Sequence, residues 1–341
     1  MKGLTTISLD VMSGDHGLDT TIPAAINYLN KNNDVFFLLV GDEKKIETHI
    51  KKHIEVDFSR IKIIHAPEVI NMDDSPIQAL KTKNESSMRR AIDLVKTGAA
   101  DGCVSSGNTG ALMAIARYVL KTLPSIDRPA IESSLPSVHS HTHMLDLGAN
   151  VECRASHLLQ FAIMGSVLSN AVDEVNNPAV GLLNVGKEMI KGNDQVKEAN
   201  ELLESSHLNY VGYIEGDDIF CGDVDVVICD GFVGNIALKA SEGLARLVSA
   251  YIKEEFRRNT LTKIAGISAA KVLQSFKNRV DPRVYNGASL LGLNGVVVKS
   301  HGSADSYAFE YAINIAKIES IKNVPQMIGE RLELLQNVKT A

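Results

Sequence analysis

Short runs of Val, Ile and Leu alternate with stretches of helical period along most of the chain, and this alternation limits the fold more than any other feature. Runs that stay apolar at successive positions belong to strands buried on both faces, and strands separated by helices build βαβ units. Strands are expected at residues 4–10, 35–40, 61–65, 101–105, 143–147, 179–185, 208–214, 224–229 and 295–299. Helices are expected at 21–30, 86–96, 111–121, 155–172, 194–204, 235–257 and 304–317. The fold class that accommodates both sets is α/β, a three-layer α/β/α arrangement around a mostly parallel (mixed) sheet. No linker rich in Pro, Gly or Ser divides the 341 residues and no solenoid-type repeat is present, so one domain over 1–341 is expected.

Five of these strands end in a cluster of glycine and small polar residues: LDVMSGDHG, VSSGNTGAL, LDLGAN, LLNVGKE and ICDGFVGN. Ligands of open α/β sheets bind beyond the carboxyl ends of the strands, so the five clusters are expected to converge on one rim. In the second cluster Gly107 and Gly110 allow close backbone approach. Ser106, Asn108 and Thr109 add neutral hydrogen bonds at the start of a helix, which suits an anion or an oxyanion, the other reading being an ordinary N-cap. The fifth cluster repeats the layout, with Asn235 as the expected N-cap of a long helix. Asp230 either orients loop N–H groups or a lysine, or merely caps the helix. Asn184 and Asn193 extend the rim, and Lys191 lies just past a strand end, where a cation can meet a phosphate.

The first cluster carries Asp10 and Asp15, which repel phosphate. They are read as groups behind the anion that accept N–H bonds or hold Lys191 or His16. His301, at a strand end beside Gly302 and the expected N-cap Ser303, is either an active-site histidine or a buried structural one. GLLNVGKE has Glu188 where a P-loop needs Ser or Thr, and no G-x-G-x-x-G follows the first strand, which argues against a P-loop NTPase and a nicotinamide enzyme. HSHTH at 139–143 puts three imidazoles on alternate positions. No acidic or cysteine partner is spaced with them, so an exposed hairpin is expected, with no metal and no cofactor assigned.

The net charge of −6 argues against a general nucleic-acid binder, so an acidic partner must dock on a local basic patch. The segment at about 258–280 supplies one, placing Leu261, Ile264, Ile267, Val272, Leu273 and Phe276 among Lys263, Lys271, Lys277 and Arg279. Such an amphipathic stretch binds a membrane surface or an acidic protein, or packs on its own core or on a dimer mate. Cys103, Cys153, Cys221 and Cys229 form no C-x-x-C pair and fit reduced thiols. No segment approaches the roughly 20 apolar residues of a bilayer span, and the N-terminus lacks an apolar signal core. A cytoplasmic protein is expected, with peripheral membrane contact open.

The motifs DVMSGD, MDDSPIQALKTKNESSM, ADGCVSSGNTGALMA, IDRPA, LDLGANVEC, LLQFAIMGS, LLNVGKE, KGND, VDVVICDGFVGNIALK and YNGASLLGLNGVVVKSHGS occur in this order from residue 7 to about residue 317. In this series the chain resembles the bacterial phosphate acyltransferases of phospholipid synthesis. It departs from their usual pattern at Ser13, Lys81, Ser125 and Ser289. The resemblance implies transfer of a fatty acyl group from acyl carrier protein to inorganic phosphate, giving acyl phosphate for a membrane glycerol-3-phosphate acyltransferase. It also implies a fold similar to the isocitrate and isopropylmalate dehydrogenases, a homodimer and loose membrane association. A coenzyme A-dependent phosphotransacetylase and a β-decarboxylating dehydrogenase are the competing readings.

Phosphate is already anionic and a thiol with a pKa of about 8.5 leaves readily, so positioning and oxyanion donors can carry such a reaction. Ser106, Gly107, Asn108, Thr109 and Gly110 are expected to hold the phosphate or the thioester oxygen, with Lys191 and His301 supplying charge or a mobile proton. Asn184, Asn193, Asp230 and Asn235 complete the expected site, and Arg257 and Arg258 join the basic patch for the carrier protein.

Overall fold

In the computed structural model, which describes residues 3–52 and 58–340, the apolar runs assemble into one sheet. Its strands are β1 (Thr5–Asp10), β2 (Val35–Gly41), β3 (Ile61–His65), β4 (Gly102–Ser105), β5 (Ala130–Pro136), β6 (His141–Leu145), β7 (Ala179–Leu183), β8 (Asn209–Ile214), β9 (Val226–Ile228), β10 (Ala288–Leu291) and β11 (Val296–Lys299). Their order is β3-β2-β1-β4-β11-β10-β5-β6-β9-β7-β8.

Helices cover both faces, as the α/β pattern requires. Successive residues of a strand point to opposite faces. Val104 and Val298 therefore pack with Ile22, Leu29, Phe309 and Ile313 on one side. Their neighbours Cys103 and Val297 pack with Ile92, Leu112 and Ile115 on the other. In the second half of the sheet, the helix Ala155–Asp173 lays Leu158, Phe161 and Met164 on Leu145, Val226 and Ile228. All four cysteines are free, and Cys103 and Cys229 are buried.

Two strands absent from the sequence reading, β5 and β10, decide the geometry. β10 is antiparallel to both β11 and β5, and β5 is antiparallel to β6. β9, β7 and β8 then run parallel to β6. Three reversals leave β6, β9 and β7 pointing opposite to β1, β4 and β11, so the carboxyl ends of the two sets lie at opposite ends of the strands. The five clusters consequently form two groups rather than one rim.

The helix Gly231–Arg257 spans the gap between the groups. It starts at the end of β9, packs Ala237 and Leu238 against Ile131, Leu135 and Met144, and its 27 residues at about 1.5 Å each make it roughly 40 Å long. Asp230 is its N-cap, accepting from the Val233 N–H at 2.8 Å, so Asn235 lies inside the helix rather than capping it. Two further helices, Thr260–Ser268 and Ala270–Val280, follow with Leu261, Ile264, Ile267 and Val272 exposed. The Lys277 side chain lies outside the described residues. Among those residues, no helix is long and apolar enough to cross a membrane.

Candidate active site

The loops after β1, β4 and β11 meet at Gly14. Its φ of 83° favours glycine, and a Cβ there would stand 2.6 Å from Ser106 Oγ and 3.0 Å from the Gly302 carbonyl oxygen. The Ser13 hydroxyl accepts from the Ser106 N–H at 3.0 Å, and the Ser105 hydroxyl accepts from the Gly107 N–H at 3.1 Å. The Ser105 hydroxyl in turn donates to Asp10 Oδ2 at 2.7 Å. Asp10 is buried, which raises its pKa, while hydrogen bonds from Ser87, Ser105 and Ser13 oppose the shift. Its side-chain partners are serine hydroxyls rather than Lys191 or His16. Asp15 and His16 are exposed, and the Asp15 N–H donates to the Gly302 carbonyl at 2.8 Å.

Asn108 caps the helix Thr109–Leu120, its Oδ1 accepting from the Ala111 N–H at 2.9 Å. Its Nδ2 donates to the carbonyls of Met72 and Asp74, at 2.8 Å and 3.0 Å. Both ends of the amide are engaged in structure, which leaves Thr109 and Gly110, exposed in the first turn, to face a ligand. A helix N-terminus carries partial positive charge and suits an anion. Replacing Asn108 by Ala is expected to cost about 1–2 kcal/mol of stability, read by urea denaturation, and to loosen the 72–74 loop over the site.

His301 stands at the mouth of this cluster. Its Nδ1 accepts from the Ser303 N–H at 3.2 Å, so a neutral ring carries its proton on Nε2. Partial burial and the nearby cations Lys239 and Lys299 hold its pKa below the usual histidine value, which keeps the ring neutral at pH 7. Ser303 is the residue bonded to His301, and Asp305, not Ser303, caps the next helix by accepting from the Ala308 N–H.

Lys299 and Lys239 escaped the sequence reading. Lys299 is 8% exposed, and its ammonium donates to the carbonyls of Ser106 and Ser300. Burial lowers its pKa to about 8, against the pull of Asp15 and Asp10. A lysine inside the run VVVKS, next to His301, was the available signal. Lys239 comes from the helix Gly231–Arg257, which brings its charge near Lys299 and His301 across the sheet. No local pattern in sequence announces that approach.

The second group lies at the other strand end. Asp146, after β6, accepts from the Ile131, Ala149 and Asn150 N–H groups. Gly148 lies against the Asn235 side chain. In the loop after β7, Gly192 touches Asn184, Gly186 touches the Lys191 side chain, and Asn193 caps the helix Asp194–Glu204. Lys187 pairs with Asp218 at 2.9 Å. A cavity of about 500 Å³ opens between these elements, lined by Leu182, Asn184, Ile219, Val233, Ile236 and Ala240 among others.

Residues 5–327 match the model of the fatty acid synthesis protein family. The chain is 57% identical over 329 residues to the phosphate acyltransferase of Methylococcus capsulatus, covering 96% of this chain and 97% of that protein. It is 56% identical to the phosphate acyltransferase of Legionella pneumophila (strain Paris), over 97% of each. The chain belongs to the phosphate acyltransferase family. Acyltransferase chemistry is thus the frame in which the two groups of residues are to be understood. Among solved structures, a phosphotransacetylase from Streptococcus pyogenes superposes with a TM-score of 0.65 at 16% identity, covering 93% of this chain and 94% of that one. That likeness extends to the fold, a large, mostly parallel sheet flanked by helices.

Proposed function

We propose that the chain transfers a fatty acyl group from acyl carrier protein to inorganic phosphate, forming the acyl phosphate used in phospholipid synthesis. The observation that carries this reading is the near full-length identity of 57% to a phosphate acyltransferase. The site adds a physical rationale. Phosphate binds at Thr109, Gly110 and the helix N-terminus, under the field of Lys299 and Lys239. A phosphate oxygen attacks the thioester carbon, the C–S bond breaks, and the thiolate leaves and takes up a proton. The His301 Nε2–H is aimed to donate to the carbonyl oxygen as it gains negative charge, the kind of contact that lowers an acyl-transfer barrier.

The cavity is lined along one face of the helix Gly231–Arg257 by Val233, Ile236, Ala237, Ala240 and Ser241, and the same helix carries Lys239. The acyl chain lies in this groove with its thioester at the His301 end. Asn184, Asn193 and Lys191 stand at the far end of it. His301→Ala is accordingly expected to lower turnover, whereas Lys191→Ala is expected to weaken binding of the acyl donor.

Arg257, Arg258, Lys263, Lys271 and Arg279 form the docking patch for the acidic carrier protein. Its affinity is expected to fall steeply with added salt and in Lys263→Glu. The exposed stripe Phe232, Ile236, Leu244, Leu247 and Tyr251 supports a homodimer, and Leu261, Ile264 and Ile267 support contact with a membrane surface. Thiol release from acyl carrier protein and from acyl-coenzyme A, each with and without phosphate, tests the function. Phosphate-dependent release from the carrier protein is expected, and release from coenzyme A alone, or without phosphate, refutes the reading.

A further inference from the structure

The HSHTH segment forms a hairpin whose turn is exposed, as its sequence suggests, but whose strand residues are not. Residues 137–140 form the turn between β5 and β6, but His143 is 3% exposed and faces an acidic partner that lies 30 residues away in sequence. His141 and His143 occupy the same face of β6, and their rings stand perpendicular with centroids 5.0 Å apart. Asp173, the last residue of the helix Ala155–Asp173, reaches both of them. Its Oδ2 lies 2.6 Å from His143 Nε2 and its Oδ1 lies 3.2 Å from His141 Nε2.

The other ring nitrogens are held from behind. Glu132 on β5 is 3% exposed and sits 2.7 Å from His143 Nδ1. A carboxylate can only accept there, so it fixes the Nδ1–H of His143 and turns Nε2 toward Asp173. Ser140 Oγ lies 3.2 Å from His141 Nδ1. Carboxylate or hydroxyl groups behind the Nδ1 atoms of histidine ligands are the usual support of a metal-binding imidazole.

We propose that His141, His143 and Asp173 form a zinc-class metal site, positioned by Glu132, that ties the start of β6 to the end of the helix Ala155–Asp173. The three donor atoms lie within 4.8 Å of one another. Tetrahedral zinc with bonds of about 2.0–2.2 Å needs donors roughly 3.3 Å apart, so the shorter His143 contact opens slightly as the metal replaces the proton between the two groups. Two imidazoles and one carboxylate suit Zn²⁺ and its borderline neighbours better than Mg²⁺ or Ca²⁺. Asp173 and His141 keep side-chain exposures of 22% and 27%, which leaves a path of entry and room for water as a fourth ligand. The site is three positions from β11 in the sheet and shares no residue with the phosphate loops.

The test uses the full chain, stripped with a chelator and titrated with zinc chloride alone. One zinc per chain is expected. His141→Gln and Asp173→Asn, both at partly exposed positions, are expected to weaken binding at least tenfold. Glu132→Gln is expected to weaken it about 10–100-fold without changing the stoichiometry. Cobalt in place of zinc should give a tetrahedral visible absorption that His141→Gln removes, while His139→Gln leaves it intact. The proposal is overturned if the parent chain binds zinc no more tightly than His141→Gln, or if His139→Gln abolishes binding.

Discussion

Lys299→Met is expected to lower kcat/KM for phosphate about a hundredfold, the scale on which loss of one preorganised donor or charge acts at an acyl-transfer site. The ammonium does two things that methionine cannot. It bonds the carbonyls of Ser106 and Ser300, fixing the β4 and β11 loops to each other, and it places positive charge beneath the proposed phosphate site. The effect also has a pH signature. With a folded pKa of about 8, Lys299 loses its charge as pH rises through that value, so the KM for phosphate of the parent enzyme should climb above pH 8. A bound phosphate dianion favours the charged lysine, so proton uptake on binding should accompany the change and can be read calorimetrically in buffers of different ionisation enthalpy.

Stability provides an independent readout of the same group. Because the lysine pKa is lowered on folding from 10.5 to about 8, the unfolded chain holds more protons than the native one between these values. Stability therefore gains a positive slope as pH rises from about 8 to 10.5, and that gain is lost as pH falls back through 8. The methionine variant should lack this slope. A variant that unfolds with the parent's pH profile and retains the parent's phosphate KM would show that Lys299 neither senses nor shapes the site.

The second large effect is expected at Gly234, in the first turn of the helix Gly231–Arg257. A Cβ there would fall inside the contact surface of the Asp146 carbonyl oxygen and only 2.9 Å from Cys229 Sγ. Backbone cannot yield as a side chain does, so Gly234→Ala must lift the helix off the end of β6. A loss of about 3 kcal/mol is expected, at the upper end of ordinary overpacking. Turnover should fall too, because the same helix carries Lys239 to His301. Gly243, about two and a half turns further along, has nothing within 4 Å of its would-be Cβ. There the same substitution should raise stability by about 0.5–1 kcal/mol, since alanine restricts the unfolded chain and suits a helix. Equal unfolding midpoints for the two variants would sink this account of the helix seat.

Strands with unbroken apolar runs, such as VFFLLVG of β2, were the most legible, because burial on both faces leaves no polar position. β5, AIESSLP, and β10, ASLL, stayed hidden. Glu132, Ser133 and Ser134 interrupt the first, and the second is too short for any period to emerge. These two strands reverse the sheet, so missing them turned two groups of strand-end loops into a single expected rim.

Local chemistry was legible in part, and the N-cap that residues 106–109 suggest is present at Asn108. The loops after β1 and β4 do come together with the segment that carries His301. Long-range partners were not legible. Asp173 reaches His141 and His143 from another element, and Asn108 spends its amide on the 72–74 loop. Lys239 arrives along a helix from the opposite end of the sheet. Two capping assignments missed for a local reason, since several cap-capable side chains stand within a few residues of each helix start. Asn235 and Ser303 look like caps, but the aspartates Asp230 and Asp305 take that place.

The position of β11 between β4 and β10 ties completion of the sheet to a late stretch of the chain. Until residues 296–299 leave the ribosome, β4 has β1 on one side and a bare row of backbone groups on the other, the kind of edge that invites foreign strands. Lys299 and His301 arrive with the strand that covers this edge. A nascent chain therefore carries the loops after β1 and β4 for most of translation without Lys299 and His301, and sealing the sheet and bringing these two side chains to the loops are one event.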